Sequence, residues 1–185
     1  MIKDIETSIG IITLAPMTLD DVPYQADYLY NSPKEFLTRI GFDISILPSR
    51  EEYIQNLCSR IKAQMERGAE DKNYATIVAR YDGKPIGIVV LVPSPAPSES
   101  HAHFHIWDKS LRGKNLGKEI LLNGLKLLMD HQKRSLAYIE PHKNNGPMNK
   151  LMRKCGFKFL GDSVFSGPMT STFESKKYLI ERSNI

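Results

Sequence analysis

Between residues 49 and 68 apolar side chains return every three or four positions, and Ile54, Leu57, Ile61 and Met65 form one stripe of SREEYIQNLCSRIKAQMERG. That spacing predicts an amphipathic helix, entered through a Ser49/Glu52 capping box and stopped at Gly68. The period then changes. NYATIVARYDGKPIGIVVLV (73–92) is two β-rich runs around Asp82-Gly83, a strong hairpin signal. Ahead of the helix, IGIITLAPMT (9–18) reads as a first strand closed by Pro16. TLDDVPYQADYLYNS follows as a helix with Asp20 and Asp21 near its start, where acidic side chains suit the positive end of the dipole. PSPAPSES (93–100) is a Pro/Ser loop, too short for a domain linker. Beyond it come a strand over 100–107, a helix over 116–131, a buried-type strand in SLAYIEP and a short helix in NGPMNKLMRKCG closed by Gly156. FKFLGDSVF and STFESKKYLIE make a last pair of strands. With no internal repeat, this alternation predicts one α/β domain over 1–185 with a mixed sheet.

Composition narrows the classes. Over 185 residues the chain is 41% hydrophobic and 25% charged, ordinary values for a folded domain with a real core. A net charge of +4, with both signs interleaved, lacks the concentrated basic face of a nucleic-acid binder but accommodates a small anion. Cys58 and Cys155 stand alone, with no metal-ligand spacing, which reads as a reduced, cytoplasmic protein. MIKDIETSIGII places two acidic residues ahead of any apolar run and does not read as a signal peptide. No apolar stretch reaches membrane-spanning length, so no membrane partner is expected.

The chemistry concentrates in HAHFHIWDKSLRGKNLGKEILLNGL (101–125). By period-two alternation His101, His103 and His105 share one face of a strand, with Ala102, Phe104 and Ile106 on the other. The strand hands over to a helix through RGKNLGKE, where unpaired backbone N–H groups and the dipole suit phosphate oxygens. Arg112, Lys114 and Lys118 add positive charge there, and Gly113 and Gly117 permit close backbone approach. Neither a nucleotide-triphosphate loop nor a dinucleotide fingerprint is present, because the glycine spacing is wrong for both and Glu119 stands where a metal-binding hydroxyl belongs.

A strand followed by R-x-x-N-x-G and an amphipathic helix resembles the acyl-CoA-binding motif of the GNAT N-acetyltransferases, Q/R-x-x-G-x-G/A. Arg112 fills its first position, Gly117 its last, and Asn115 replaces the middle glycine, a mild departure because Asn tolerates left-handed backbone angles. NNGPMNKLMRKCGFKFLG resembles the second signature, an Asn after the fifth strand and a helix ending in Gly-Phe, here Asn145 and Gly156-Phe157. The element order matches as well. HIWDKSLRGKNLG and NKLMRKCGF look most like the branch that includes the ribosomal-protein N-terminal acetyltransferases.

The resemblance implies an acyl-CoA N-acyltransferase fold, a mostly antiparallel mixed sheet whose fourth and fifth strands splay, with helices flanking it. Acetyl-CoA would be the cofactor, its pantetheine arm in the gap between those strands. Ile106 and Trp107 would offer backbone groups to the arm and the thioester oxygen. Arg112, Gly113, Lys114, Asn115, Leu116, Gly117 and Lys118 would wrap the pyrophosphate, and Asn145 would touch the pantetheine or position the next helix. The partner is an amine-bearing acceptor, small molecule or peptide N-terminus, with a homodimer left open and no nucleic acid. A histidine suits the removal of the acceptor's proton, since its ordinary pKa of about 6.5 predicts a rate that rises with pH near neutrality and then flattens. His103 is the first choice, because its offset and that of His101 from Arg112 resemble a His-x-His pair used as base within the family; His105 lies nearest the expected thioester. The plain alternative is a polar strand face satisfied by water. A zinc site lacks a third ligand. The tyrosine that the family often places four residues before the Gly of Gly-Phe is here Met152, which cannot donate a proton and keeps open a non-catalytic acyl-CoA-binding module. Tyr138 is a substitute hydroxyl, Glu140 a candidate holder of a cationic acceptor, and Cys155 reads as a buried structural thiol.

Overall fold

A computed structural model describes residues 1–67 and 75–185. Eight strands form one sheet in the order β1-β2-β3-β4-β5-β6-β8-β7. They are β1 (Lys3–Thr7), β2 (Gly10–Pro16), β3 (Ala75–Tyr81), β4 (Lys84–Pro93), β5 (Glu99–Ile106), β6 (Leu136–Ile139), β7 (Lys158–Gly167) and β8 (Thr170–Glu181). Every pairing is antiparallel except that of β5 with β6. Between β2 and β3 run α1 (Val22–Tyr30), α2 (Lys34–Arg39) and α3 (Arg50–Arg67); α4 (Leu116–Gln132) links β5 to β6, and α5 (Gly146–Lys154) links β6 to β7.

Local signals account for most of these boundaries. Ser49 and Glu52 form the expected reciprocal cap, with Ser49 N–H donating to Glu52 Oε2 at 2.9 Å and Glu52 N–H to Ser49 Oγ at 3.2 Å. The Gly68 stop and the first two residues of the 73–92 run lie outside the described residues. The hairpin turns at Asp82-Gly83, both with positive φ (49° and 74°), as a two-residue turn matched to strand twist requires.

Two elements were not expected. β1 has one buried side chain, Ile5, among Lys3, Asp4, Glu6 and Thr7. It is a charged edge strand, which blunts an open sheet edge but leaves no hydrophobic signature. The short helix α2 ties to α3 through a shared cluster of Leu37, Tyr53, Leu57 and Ile61. Asp21 is also more than a dipole complement. It is buried, accepts Thr18 N–H at 2.7 Å and pairs with the Arg80 guanidinium, fastening the entry of α1 to β3.

Helix α4 covers one face of the sheet. Its Ile120, Leu121, Leu125, Leu128 and Met129 pack on Leu14, Ile77, Val89, Leu91, Ala102 and Phe104. The opposite face carries Val78, Ile88, Val90 and Trp107 against Tyr28, with Phe36 and Ile40 packed alongside. Alternation therefore sends Ala102 and Phe104 into the core and the three histidines to the other side, as the sequence pattern requires.

The partnership of β5 and β6 decides the site. Only Glu99↔Leu136, Ser100↔Ala137 and His101↔Tyr138 pair. Beyond them β5 runs on to Ile106 while β6 ends at Ile139, so the strands part and expose one edge of β5. These are the strands numbered fourth and fifth from sequence, displaced by one because β1 precedes them.

Candidate active site

The gap between β5 and β6 opens into a cleft of about 1150 Å³. One half is walled by residues 111–113 and 115–119, at the start of α4, and by Asn145, Met148, Lys150, Leu151 and Lys154 around α5. The other half holds the three histidines, α1, α2 and the β7–β8 hairpin.

Helix α4 starts without a side-chain cap. Its N-cap, Asn115, sits at φ 59°, the left-handed conformation that the substitution for glycine has to adopt. Uncapped N–H groups of the first turn thus face a cleft, the arrangement that receives anionic oxygens. Gly113, Asn115, Leu116, Gly117 and Lys118 line it, whereas Lys114 does not, and its carbonyl accepts from Ser8 Oγ at 3.3 Å. Gly117 is small for a second reason: a Cβ there would lie 3.2 Å from Leu151 and 3.6 Å from Phe104. Two cations that the sequence motif does not include, Lys150 and Lys154, reach the same half from α5, and Lys154 Nζ donates to Asn115 Oδ1 at 3.4 Å. Their signal was the i, i+4 spacing, which puts both on one face of α5.

Arg112 turns away from that pattern. Its Nε donates to the Ile106 carbonyl at 3.0 Å and its Nη2 to the Trp107 carbonyl at 3.3 Å. The guanidinium carbon stands 4.5 Å from the centroid of the Phe36 ring and 5.7 Å from that of Tyr28. The side chain braces the end of β5 against α1 and α2. The Trp107 N–H donates to the Ile86 carbonyl at 2.8 Å, facing β4. Antiparallel alternation then points the Ile106 N–H the other way, into the gap. Of the backbone groups expected from these two residues, that N–H is the one left for a ligand.

Asn145 caps α5, its Oδ1 accepting from Met148 N–H at 3.3 Å, which favours its helix-positioning role. The sequence reading missed Asn149. Buried, it donates to the carbonyls of His142, Lys143 and Asn145 and accepts from Tyr178 Oη at 3.2 Å, holding the 142–145 loop on α5 and β8. Only an unremarkable helical Asn marks it in the sequence. Asn149→Ala is expected to cost about 1–3 kcal/mol, since three carbonyls and a buried hydroxyl lose their partner; thermal melting checks this.

His101, His103 and His105 sit opposite Val92, Val90 and Ile88 of β4 on the cleft side. His103 meets the edge of Phe165 at 6.3 Å between centroids, and His105 lies between Tyr28 and Phe42 at 5.4 and 5.8 Å. Burial among these groups lowers His103 to about 4, with the neighbouring His101 charge adding to the effect. Burial lowers His105 to about 3, helped by His103 and Arg112. Both rings are therefore neutral at pH 7, and neither titrates near neutrality as the sequence alone suggested. His105 Nδ1 is 3.0 Å from Tyr28 Oη, and burial raises the Tyr28 phenol well above its usual range, so this hydroxyl keeps its proton.

Those lowered values set a pH dependence of stability. Above about pH 6.5 both histidines are neutral folded or unfolded and contribute no slope. Between 6.5 and roughly 4 the unfolded chain takes up protons that the folded chain refuses, so stability falls as pH falls. The double replacement of His103 and His105 by Gln is expected to flatten that limb, moving the pH 4.5 melting temperature toward its pH 7 value by at least about 3 °C, the shift that ~1 kcal/mol produces in a chain of this size.

Met152 is fully buried in the core beside α4 and lines no part of the cleft, so it supplies no group to the site. Cys155 is buried with its thiol pushed up to about 11, a packing residue. Tyr138 donates to Glu99 at 3.4 Å and lies 5.9 Å from the His101 ring. Glu140 is half-buried, with Lys177 Nζ at 3.7 Å, His101 Nδ1 at 3.9 Å and Ser175 Oγ at 3.4 Å. Its charge already has a partner. Among the described residues no group of three or more His, Cys, Asp or Glu could hold a metal ion, and no helix is long and apolar enough to cross a membrane.

Residues 39–157, which hold the splayed strands and the uncapped helix start, match the acetyltransferase (GNAT) family. The chain belongs to that family: it is an N-acetyltransferase, and acetyl-CoA is its acyl donor. No curated protein matches the sequence. Among solved structures it is similar to RimJ of Mycobacterium smegmatis in complex with CoA-disulfide, at 14% identity over 100% of this chain and 88% of the other, TM-score 0.78. It is similar too to the ribosomal-protein-S5-alanine acetyltransferase of Vibrio fischeri, at 13% identity over 97% of each chain, TM-score 0.75. A spermidine N-acetyltransferase SpeG chimera from Vibrio cholerae and hSSAT follows at 16% identity, covering 93% of this chain and 96% of its own, TM-score 0.67. At such identities these likenesses speak for the fold.

Proposed function

We propose that the chain, acting as one domain, transfers acetyl from acetyl-CoA to a primary amine by direct attack of the amine nitrogen. One observation carries this reading. The exposed edge of β5 lies between the uncapped start of α4 on one side and neutral histidines on the other, so a donor and an acceptor can meet across a single strand. One of the solved structures named above has a CoA derivative bound, which supports a CoA thioester as the donor.

The donor supplies an activated acetyl thioester. Backbone N–H groups of Gly113 and of residues 115–118, with Lys118, Lys150 and Lys154 nearby, would hold its phosphates, and the Ile106 N–H would be open to its acyl end. His103 accepts the proton from the acceptor nitrogen. An imidazole lowered to about 4 does not take a proton from a free ammonium ion, so its task begins once nitrogen has started to bond to carbon and its proton has become acidic. His101, half-exposed at the mouth, passes the proton outward, and the CoA thiolate released as the carbon–sulfur bond breaks takes a proton from water.

The test is acetyl-CoA consumption and product mass across amino acids, polyamines, aminoglycosides and peptide N-termini. CoA binding without turnover on any of these amines would overturn transfer to a primary amine.

A further inference from the structure

The acceptor half of the cleft carries information about which amine enters. Its walls are aromatic and apolar: Tyr28, Phe36, Phe42, Phe165, Phe173 and Met169 line it around the three histidines. It is also roofed. Asp43 N–H donates to the Met169 carbonyl at 3.0 Å, joining the loop after α2 to the tip of the β7–β8 hairpin. Beneath that bond Gly41, at φ 104°, lies so close to Phe173 that a Cβ would come within 2.8 Å of the ring. Phe165 and Phe173 face each other at 5.4 Å.

The charges around this chamber are the wrong sign for a polycation. Among the described residues the carboxylates lining the cleft are Glu119, at the cofactor turn, and Glu140, already matched by Lys177. Arg39, exposed, stands on the acceptor half with its guanidinium carbon 5.8 Å from the centroid of the Phe36 ring. A second ammonium group on the acceptor would have to leave water for aromatic walls whose faces return only part of the cost, with Glu140, already beside Lys177, as the nearest lining carboxylate. A single amine that enters unprotonated carries no second charge to bury, and its apolar body gains the walls.

Resting on the acetyl-transfer reading, we propose that the acceptor is a small mono-amine with an apolar body about the size of an aromatic ring, not a polyamine, an aminoglycoside or the N-terminus of a folded protein. The roof between Asp43 and Met169 limits its size, and Phe165 and Phe173 select its body.

The experiment compares kcat/KM for 2-phenylethylamine, spermidine, kanamycin and a peptide with a free N-terminus, in the wild-type protein and in Phe165→Ala. The wild type should prefer 2-phenylethylamine by about 10²-fold or more, the scale of discrimination that an unpartnered buried charge imposes. Phe165→Ala should narrow that preference about tenfold, from the loss of a ring contact, with CoA affinity and melting temperature measured alongside to confirm folding. A preference for spermidine, kanamycin or the peptide overturns the proposal and leaves acetyl transfer standing, as does an unchanged ratio in a folded Phe165→Ala. Bound CoA with no amine consumed overturns both.

Discussion

His103→Ala is expected to lower kcat by roughly 10²-fold or more, the usual worth of a positioned proton acceptor, with CoA affinity nearly unchanged. The ring is central on the cleft face of β5, edge-on to Phe165, and on the opposite side of the strand from Phe104 and the core. Its removal leaves the uncapped start of α4 untouched, so donor binding should survive. The pH profile provides the second readout. With His103 held near 4, this group's own contribution is lost only as pH falls toward 4; the rise of kcat/KM through neutrality then follows the unprotonated fraction of the acceptor amine. A steady-state pH series with the wild type and the three single alanine variants checks both points. If all three retain normal turnover and the same profile, the histidines are a polar strand face and the base is elsewhere.

Gly87→Ala should be the most damaging added methyl group among the described glycines. A Cβ at Gly87 would lie 2.6 Å from the His105 carbonyl oxygen and 3.3 Å from the Ile106 Cα, both backbone atoms of β5. No rotamer change relieves a clash with backbone, so β4 and β5 must move apart where Gly87 pairs with Ile106. The expected cost is about 1–3 kcal/mol from overpacking, or roughly 2–4 °C of melting temperature for each kcal/mol. Activity should fall further than stability, because the displaced segment carries His105 and the Ile106 N–H together. Differential scanning calorimetry beside kcat/KM measures the two losses. A variant with normal melting and normal kinetics would mean that β5 tolerates the shift.

The unexpected geometry of Arg112 links these results. As the motif's first residue it was expected at the phosphates, yet its guanidinium takes the carbonyls of Ile106 and Trp107 and stacks on Phe36. One side chain thereby fixes the end of β5, from which the donor and acceptor halves of the cleft both hang.

Local sequence determined a good deal by itself. The two-residue period of HAHFHI decides which face the histidines share, because a strand has only two faces. Ser49 and Glu52 announce a helix start, Asp82-Gly83 a hairpin, and Asn115 a left-handed residue ahead of α4, since each is set by backbone conformation within a few positions. What lay beyond that reach was decided by contacts distant in the chain. Tyr28 meets His105 across 77 positions, and Lys177 reaches Glu140 from another strand. Met152 faces the core because α5 packs beside α4 with that side inward, which one turn of sequence does not reveal. Burial, and with it the fall of His103 and His105 far below neutrality, depends on what the fold stacks over a side chain. Residue type supplies a histidine's ordinary pKa; only the tertiary structure removes the water that maintains it.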